Sequence, residues 1–162
     1  MAKMLLSARR NLHAWRQLTW IERRRLIQAW VLLPLISFGL RLFGLRRLQR
    51  LLRHGMSREV ASDQGGANDG NNVLTECQNI AKMTNIAVGH SLFVATCLHR
   101  SLVLWWLLGR EGFASDLHLG ARKAKGQFEA HAWVEYQGTV LNDTEDVHER
   151  FATFDAPVTE AS

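Results

Sequence analysis

The chain has 162 residues, of which 47% are apolar and 22% charged, and only two are prolines. These values are typical of a globular domain that buries its own core, and they exclude a chain that is disordered throughout. The net charge of +5 is uneven, since residues 1–60 hold 13 Lys/Arg and two Asp/Glu while residues 61–162 hold seven and 13. The basic character therefore belongs to the front segment, which either meets an anionic partner or forms a solvated arginine face.

Residues 1–60 are predicted to form a basic helical segment. Thr19 and Glu22 have the spacing of a capping box, in which each side chain bonds the other residue's backbone N–H. Apolar residues then recur at helical spacing, and Pro34 is expected to kink or end this helix. A second helical stretch is predicted over residues 40–53, where leucines and five arginines surround the cylinder.

The longest uncharged stretch of this segment is too short for a typical membrane span. Residues 26–40 number 15 and include Gln28 and Pro34, whereas a spanning helix needs about 20 apolar residues. A core or interfacial helix is therefore predicted. Residues 1–25 lack the apolar region of a secretory signal, and the chain has only two cysteines. We accordingly expect a cytoplasmic protein with reduced thiols, and neither a nucleic-acid partner nor membrane contact.

Residues 61–72, ASDQGGANDGNN, are small, polar and glycine-rich, so a linker is predicted there. Residues 73–162 are predicted to form a compact α+β core in which two helices precede a short antiparallel sheet. A tight turn is expected at Gln137 and Gly138. The helices are predicted over residues 73–90 and 97–109, and the strands over 117–120, 127–136 and 139–142.

Cys97 is the candidate nucleophile of this core. Thr96 is a preferred N-cap residue, so Cys97 is predicted to lie in the first turn of the second helix. The positive end of the helix dipole favours the thiolate, which is the reactive form of cysteine. The unpaired backbone N–H groups of the same turn can also stabilise an oxyanion. A small buried hydrophobe is the alternative interpretation of any one cysteine, and we assign that role to Cys77.

His131 and Asp143 are the candidate base and its orienting carboxylate. Because alternate residues of a strand share a face, His131 should point with Trp133 and Glu135, and the intervening alanines should face the helix. The Gln137-Gly138 turn brings the chain back along the strand, so Asp143 can return beside His131. Cys, His and Asp in this order form a coherent catalytic layout. A packed or surface histidine remains the alternative. Should Asp143 not orient His131, Asn142 and Asp146 are the next candidates.

Residues 97–143 carry a detailed resemblance to the B protein of lasso-peptide biosynthesis. That family has a C-L-x-R-[SA]-L block, a glycine turn, then F-x-A-H-A-W-[VL]-E and a closing N-D or G-D. The matching residues here are Cys97, Leu98, Arg100, Ser101, Leu102, Gly112, Gly120, Phe128, Ala130, His131, Ala132, Trp133, Glu135, Asn142 and Asp143.

The resemblance implies a papain-like, transglutaminase-like fold with Cys97, His131 and Asp143 as catalytic triad. It implies a cysteine peptidase that removes the leader of a ribosomally made lasso-peptide precursor through a thioester. The front segment lacks the winged-helix recognition domain fused to some members, so the chain is similar to the split form. A separate recognition protein would then deliver the precursor, and an ATP-dependent macrolactam synthetase would cyclise the released core.

Two other classes of function stay open. An acyltransferase of the same fold, for protein crosslinking or arylamine acetylation, would use the same triad and another acceptor. A non-enzymatic membrane- or peptide-binding protein would use the basic segment alone, although the carboxy-terminal region is acidic. His90, His99 and His118 lack the spacing of a zinc site, and no phosphate-binding loop is present. We therefore expect no metal and no cofactor. Gln78 is a weak candidate for an oxyanion donor.

Overall fold

The computed structural model describes residues 19–56, 67–89, 91, 95–124 and 126–154. Within these residues, three long helices precede a four-stranded antiparallel sheet with the strand order β3-β2-β1-β4. The predicted α+β class is therefore confirmed. The elements are α1 (Trp20–His54), α2 (Ala67–Gly89), α3 (Cys97–Arg110), β1 (Asp116–Ala124), β2 (Gln127–Tyr136), β3 (Thr139–Val140), α4 (Val147–Arg150) and β4 (Ala152–Thr153).

Helix α1 begins as predicted, and its regular backbone is interrupted at Gly44. The capping box is present, with the Glu22 N–H donating to Thr19 Oγ1 at 3.3 Å and the Thr19 N–H donating to Glu22 Oε2 at 2.7 Å. Pro34 was expected to kink or end the helix, and the helix does not end there but continues through it. Leu33 and Ile36 beside it are buried, and their packing offsets the lost backbone hydrogen bond. The break lies at Gly44, whose φ of 70° is a conformation that favours glycine.

Helix α2 starts six residues earlier than predicted. Residues 67–72, assigned to the linker from their composition, belong to this helix, while residues 61–66 lie outside the described part of the chain. Polar and glycine residues lower helix propensity by only fractions of a kcal/mol to about 1 kcal/mol each, so a neighbouring helix can extend through them. Helix α3 begins at Cys97, as predicted, and ends at Arg110.

One apolar core joins the three long helices to the sheet. It includes Leu33 of α1, Ile80 of α2, Leu104 of α3 and Val134 of β2, which are all buried. A buried arginine, Arg25 of α1, reinforces this packing through an ion pair with Glu76 of α2 at 2.5 Å. Helix α1 is thus an integral part of the core.

The two faces of the sheet have different surroundings. β1 and β2 pair along their full length, from Asp116 opposite Glu135 to Ala124 opposite Gln127. On one face, Val134 and Leu117 pack against the helices. On the other, Trp133 packs against Val147 and Phe151, in and just after α4. The alternation predicted for β2 is therefore confirmed.

The sheet ends differently from the prediction at one edge. Gln137 and Gly138 have φ values of 49° and 78°, typical of a type I′ hairpin turn. The strand predicted over 139–142 is regular only at Thr139 and Val140. Leu141 still donates to the Val134 carbonyl, whereas Asn142 and Asp143 form side-chain bonds instead. The short β4 and α4 were not predicted, since two- and four-residue elements carry no periodic signal.

Candidate active site

Cys97 is the first residue of α3 and is half-buried. Thr96 is the N-cap residue, as predicted. Its backbone N–H and its hydroxyl both lie against the side chain of His99. Nδ1 of His99 accepts from the Thr96 N–H at 3.3 Å and lies 2.7 Å from the Thr96 hydroxyl. Burial lowers the pKa of His99, which keeps this imidazole neutral and able to accept. The turn that carries the thiol is therefore fixed by a histidine that the sequence pattern did not assign.

His131 and Asp143 form a hydrogen bond across the hairpin, from His131 Nε2 to Asp143 Oδ2. The hairpin register explains this approach, since Glu135 lies opposite Val140 and the Leu141 N–H donates to the Val134 carbonyl at 2.9 Å. With Nε2 bonded to the carboxylate, Nδ1 is the nitrogen that remains to exchange a proton. The carboxylate thus favours the tautomer with the proton on Nε2, which leaves the Nδ1 lone pair available to accept a proton.

The second oxygen of Asp143 is held equally firmly. Oδ1 accepts from the Thr144 N–H at 2.7 Å and from Arg150 Nη2 at 2.5 Å. Burial alone would raise the pKa of Asp143, but the hydrogen bonds from Thr144, His131 and Arg150 outweigh it and lower the pKa to about 2. The carboxylate is therefore charged at any physiological pH, and Arg150 is a partner that sequence reasoning did not identify.

Aromatic rings lie against the His131 imidazole. Phe151 stacks at 4.7 Å between ring centroids with an angle of 24°, and Trp133 at 6.1 Å with an angle of 21°. The Arg122 guanidinium lies 4.7 Å from the Phe151 centroid. These contacts limit rotation of the imidazole, so that Nδ1 keeps one direction.

A buried hydroxyl connects the helix to the strand and to the loop. Ser101 Oγ donates to the Ala132 carbonyl and accepts from Asn142 Nδ2, both at 2.9 Å. The Val134 N–H donates to Asn142 Oδ1 at 2.8 Å. Ser101 thus bonds to the sequence neighbours of both His131 and Asp143. Since both polar ends of Asn142 are used in this way, Asn142 is not free to orient His131.

Ser101 also relates Cys97 to the His131–Asp143 pair. Residues four apart on a helix share a face, so Cys97 lies about 5–6 Å from Ser101, one turn nearer the helix N-terminus. The structure joins His131 to Asp143 directly, whereas no hydrogen bond among the described residues joins the Cys97 thiol to His131. Catalytic hydrogen bonds are often long without substrate. Cys97 therefore lies one helical turn from Ser101, whose hydrogen bonds hold the residues next to His131 and Asp143.

A second polar cluster lies beyond Trp133 on the same face of the sheet. The buried Glu135 accepts from Trp133 Nε1 at 2.6 Å and lies 2.8 Å from His148 Nε2 and 3.5 Å from His118 Nε2. His118 also stacks on Trp133 at 5.7 Å. A Cβ at Gly120 would lie 3.0 Å from the Trp133 ring, so glycine leaves room for the indole. The cluster fixes the ring that packs beside His131.

The remaining candidates are separate from this site. Cys77 is fully buried in α2, and burial raises the pKa of its thiol to about 12. It is therefore an unreactive thiol at neutral pH. Gln78 is exposed on α2 and His90 lies outside the described residues. In the part of the chain that the structure describes, no three His, Cys, Asp or Glu side chains are arranged to hold a metal ion.

Comparison with known proteins defines the family. The family model of the transglutaminase-like superfamily matches residues 35–154, from the middle of α1 to the end of the described sheet. The chain belongs to the transglutaminase-like superfamily. Members are typically cysteine-based enzymes, and cysteine protease or acyltransferase activity is consistent with this membership. No curated protein and no solved structure matches the chain significantly.

Proposed function

We propose that this protein is a cysteine peptidase that removes the leader from a lasso-peptide precursor, with Cys97, His131 and Asp143 as its triad. The observation that carries the proposal is the hydrogen-bonded His131–Asp143 pair, fixed through Ala132 and Asn142 to Ser101, one turn from Cys97. Family membership supports cysteine chemistry, and the motif of residues 97–143 supports the particular substrate.

In the first half of the reaction, His131 Nδ1 takes the thiol proton and the Cys97 sulfur attacks the carbonyl carbon of the scissile amide. The backbone N–H groups of the first turn of α3 stabilise the oxyanion. Collapse of the tetrahedral intermediate breaks the C–N bond, and the imidazolium gives its proton to the leaving amine. The amine is the N-terminus of the core peptide, and the leader stays on Cys97 as a thioester.

In the second half, water replaces the amine. His131 takes a proton from water, the resulting hydroxide attacks the thioester carbonyl, and the C–S bond breaks. The thiolate recovers the proton from His131, and the leader leaves with a new carboxylate. Asp143, whose pKa of about 2 keeps it charged, stabilises the imidazolium that forms in each half.

The proposed setting follows the split form of the family. A separate winged-helix recognition protein binds the leader and raises the local concentration of the scissile bond. An ATP-dependent macrolactam synthetase consumes the released core peptide, and the sequence of reactions takes place in the cytoplasm. Part of the basic segment 1–60 is the surface that meets the recognition protein.

The test is a cleavage assay in H₂¹⁸O with precursor, recognition protein and purified chain, followed by mass spectrometry. Hydrolysis predicts a leader whose new carboxylate contains ¹⁸O. Cys97→Ala should lower the rate by at least about 10³-fold, since the nucleophile is lost. The matched control is Cys77→Ala, the same change in a thiol that is buried away from the site, which should leave the rate within about twofold.

Two results contradict the proposal in different ways. Loss of activity in Cys77→Ala but not in Cys97→Ala rejects the assigned nucleophile. A leader that carries an added amine and no ¹⁸O identifies an acyltransferase that shares the triad and uses another acceptor.

A further inference from the structure

Helix α1 exposes an unusual amount of apolar surface. Twelve large apolar side chains are exposed among the described residues, and ten of them lie on α1. Six of the ten follow one another at spacings of three, four and seven residues and so form one line along the helix. We name this line the α1 stripe: Trp20, Ile27, Val31, Leu35, Phe38 and Leu42, each 52–74% exposed.

The exposed area of α1 is sufficient for a protein interface. The six side chains of the stripe, each more than half exposed, present on the order of 700 Å², close to the roughly 800 Å² per partner in an interface of standard size. Monomeric proteins seldom expose one apolar patch of this size without a binding role. Helix α1 also passes the length and composition test for a membrane span, with a mean hydropathy of 1.8 over its most apolar 18 residues.

Beside and after the break at Gly44, exposed side chains of α1 line a groove that is partly apolar and partly basic. A cavity of about 360 Å³ is lined by two apolar side chains, Phe43 and Leu51, and by three basic ones, Arg47, Arg50 and His54. Such a groove fits an apolar side chain flanked by carboxylates.

The C-terminal end of α1, which borders the groove, lies at the opposite end of α3 from the nucleophile. Gly55, just after α1, lies against Trp106, and Met56 lies against Gly109. Helix α3 has 14 residues, which at 1.5 Å per residue separate its two ends by about 20 Å. The His54 end of the groove is therefore about 20 Å from Cys97 along α3.

The basic charge of α1 decides which partners can bind the stripe and the groove. Helix α1 contains eight arginines and one glutamate, so a second copy that paired through the same helix would bring two strongly basic helices together. Residues 1–18 contain Lys3, Arg9, Arg10 and Arg16 and no acidic residue, so they are equally poor partners. Opposite charge bordering an apolar surface provides both attraction and orientation.

We propose that the α1 stripe and the adjoining groove are the docking surface for a folded partner protein that presents an apolar face bordered by carboxylates. This inference rests on the proposed function, and it locates where on the chain the recognition protein binds.

The test measures the dissociation constant of the recognition protein for the full chain by titration calorimetry, at 50 mM and 500 mM salt. The double variant Leu35→Gln/Phe38→Gln changes two stripe residues that are each 64% exposed, so the fold is preserved. It should weaken binding at least tenfold at both salt concentrations. The variant Arg47→Gln/Arg50→Gln should weaken binding at 50 mM salt and reduce the salt dependence, because exposed charges are screened.

The matched control is Phe128→Gln, which removes an 82% exposed apolar side chain from β2 and should leave the affinity unchanged. Unchanged affinity in both double variants, or no binding by the unchanged chain, overturns the inference. So does a dimer of the chain alone that Leu35→Gln/Phe38→Gln dissociates, or stripe-dependent pelleting with anionic phosphatidylglycerol vesicles.

Failure of the docking surface is distinguishable from failure of the proposed function. If the recognition protein binds through the stripe but no leader is released, the docking surface stands and the peptidase assignment fails. If the unchanged chain and both variants release the leader equally well with the recognition protein, the peptidase stands and the docking surface fails.

Discussion

The two faces of the sheet are built from different chemistry. On the helix side, Leu117, Ala132 and Val134 make apolar contacts that fix where β2 lies. On the other side, His131 and Glu135 take part in hydrogen bonds and ring stacking that fix how the side chains point. Apolar packing is non-directional, whereas hydrogen bonds are directional. Changes on the polar face should therefore reduce activity more than stability, and the Ser101 link between the faces should have the reverse effect.

The largest effect is expected for His131→Ala. Removing the base should lower leader release about as much as removing the nucleophile, by at least about 10³-fold, because members of a triad act as a unit. The unfolding free energy should fall by less, about 1–3 kcal/mol, since the side chain is only 16% exposed and the variant loses its ring contacts and its bond to Asp143. Cleavage assayed by mass spectrometry and urea unfolding measured on the same sample compare the two effects. Activity close to that of the unchanged protein would mean that His131 is not the catalytic base.

A smaller loss of activity is expected for Asp143→Asn. The amide oxygen can still accept from His131 Nε2, but it carries no charge to stabilise the imidazolium. We expect a fall in rate of roughly 10- to 1,000-fold, no greater than that of His131→Ala. Asp146→Asn is the matched control, because the Asp146 carboxylate bonds Thr144 and lies 3.0 Å from Arg150 without meeting His131. Equal losses in the two variants would mean that the loop as a whole, rather than Asp143, supports catalysis.

Local signals in the sequence predicted the elements that carry the site. The bounds of β2, the start of α3 and the Thr19–Glu22 capping box depend on residues a few positions apart, and all three agree with the structure. The Gln137-Gly138 turn was also predicted, and it accounts for the approach of Asp143 to His131. Within a helix, a strand or a hairpin, periodicity and turn chemistry are sufficient to predict the structure.

Contacts between distant residues could not be predicted in this way. Ser101 and Asn142 are 41 residues apart, and in the sequence Ser101 is one polar residue in an apolar helix. The continuation of α1 through Pro34 likewise depends on tertiary packing that overrides a local preference. Arg150 reaches Asp143 only because α4 follows the hairpin closely. In each case the deciding partner lies in another element.

The main effect of Ser101→Ala should be on stability. The change leaves Asn142 Nδ2 and the Ala132 carbonyl buried without their present partner, so the unfolding free energy should fall by about 1–3 kcal/mol. Ser37→Ala is the matched control, since within the described part of the chain Ser37 Oγ bonds only Leu33 of its own helix, at 2.8 Å, and should cost much less. Urea unfolding at neutral pH measures both. If the two variants lose equal stability, the Ser101 hydrogen bonds between the two faces contribute no more to stability than a hydrogen bond within one helix.

The smallest effect is expected at Arg150 and depends on pH. Arg150 is one of the groups that lower the pKa of Asp143 to about 2 from its ordinary 3.8. A carboxyl whose pKa is lower when folded contributes stability above its unfolded pKa and loses that contribution as pH falls through the folded pKa. Arg150→Gln should therefore lower the urea midpoint slightly at pH 7, and its difference from the unchanged protein should shrink as the pH falls from about 4 to about 2.

Arg46→Gln, on the exposed surface of α1, is the control and should show no such convergence. A difference for Arg150→Gln that stays constant down to pH 2 would mean that Arg150 stabilises the fold through contacts other than the Asp143 carboxylate, such as the Phe151 ring at 5.6 Å.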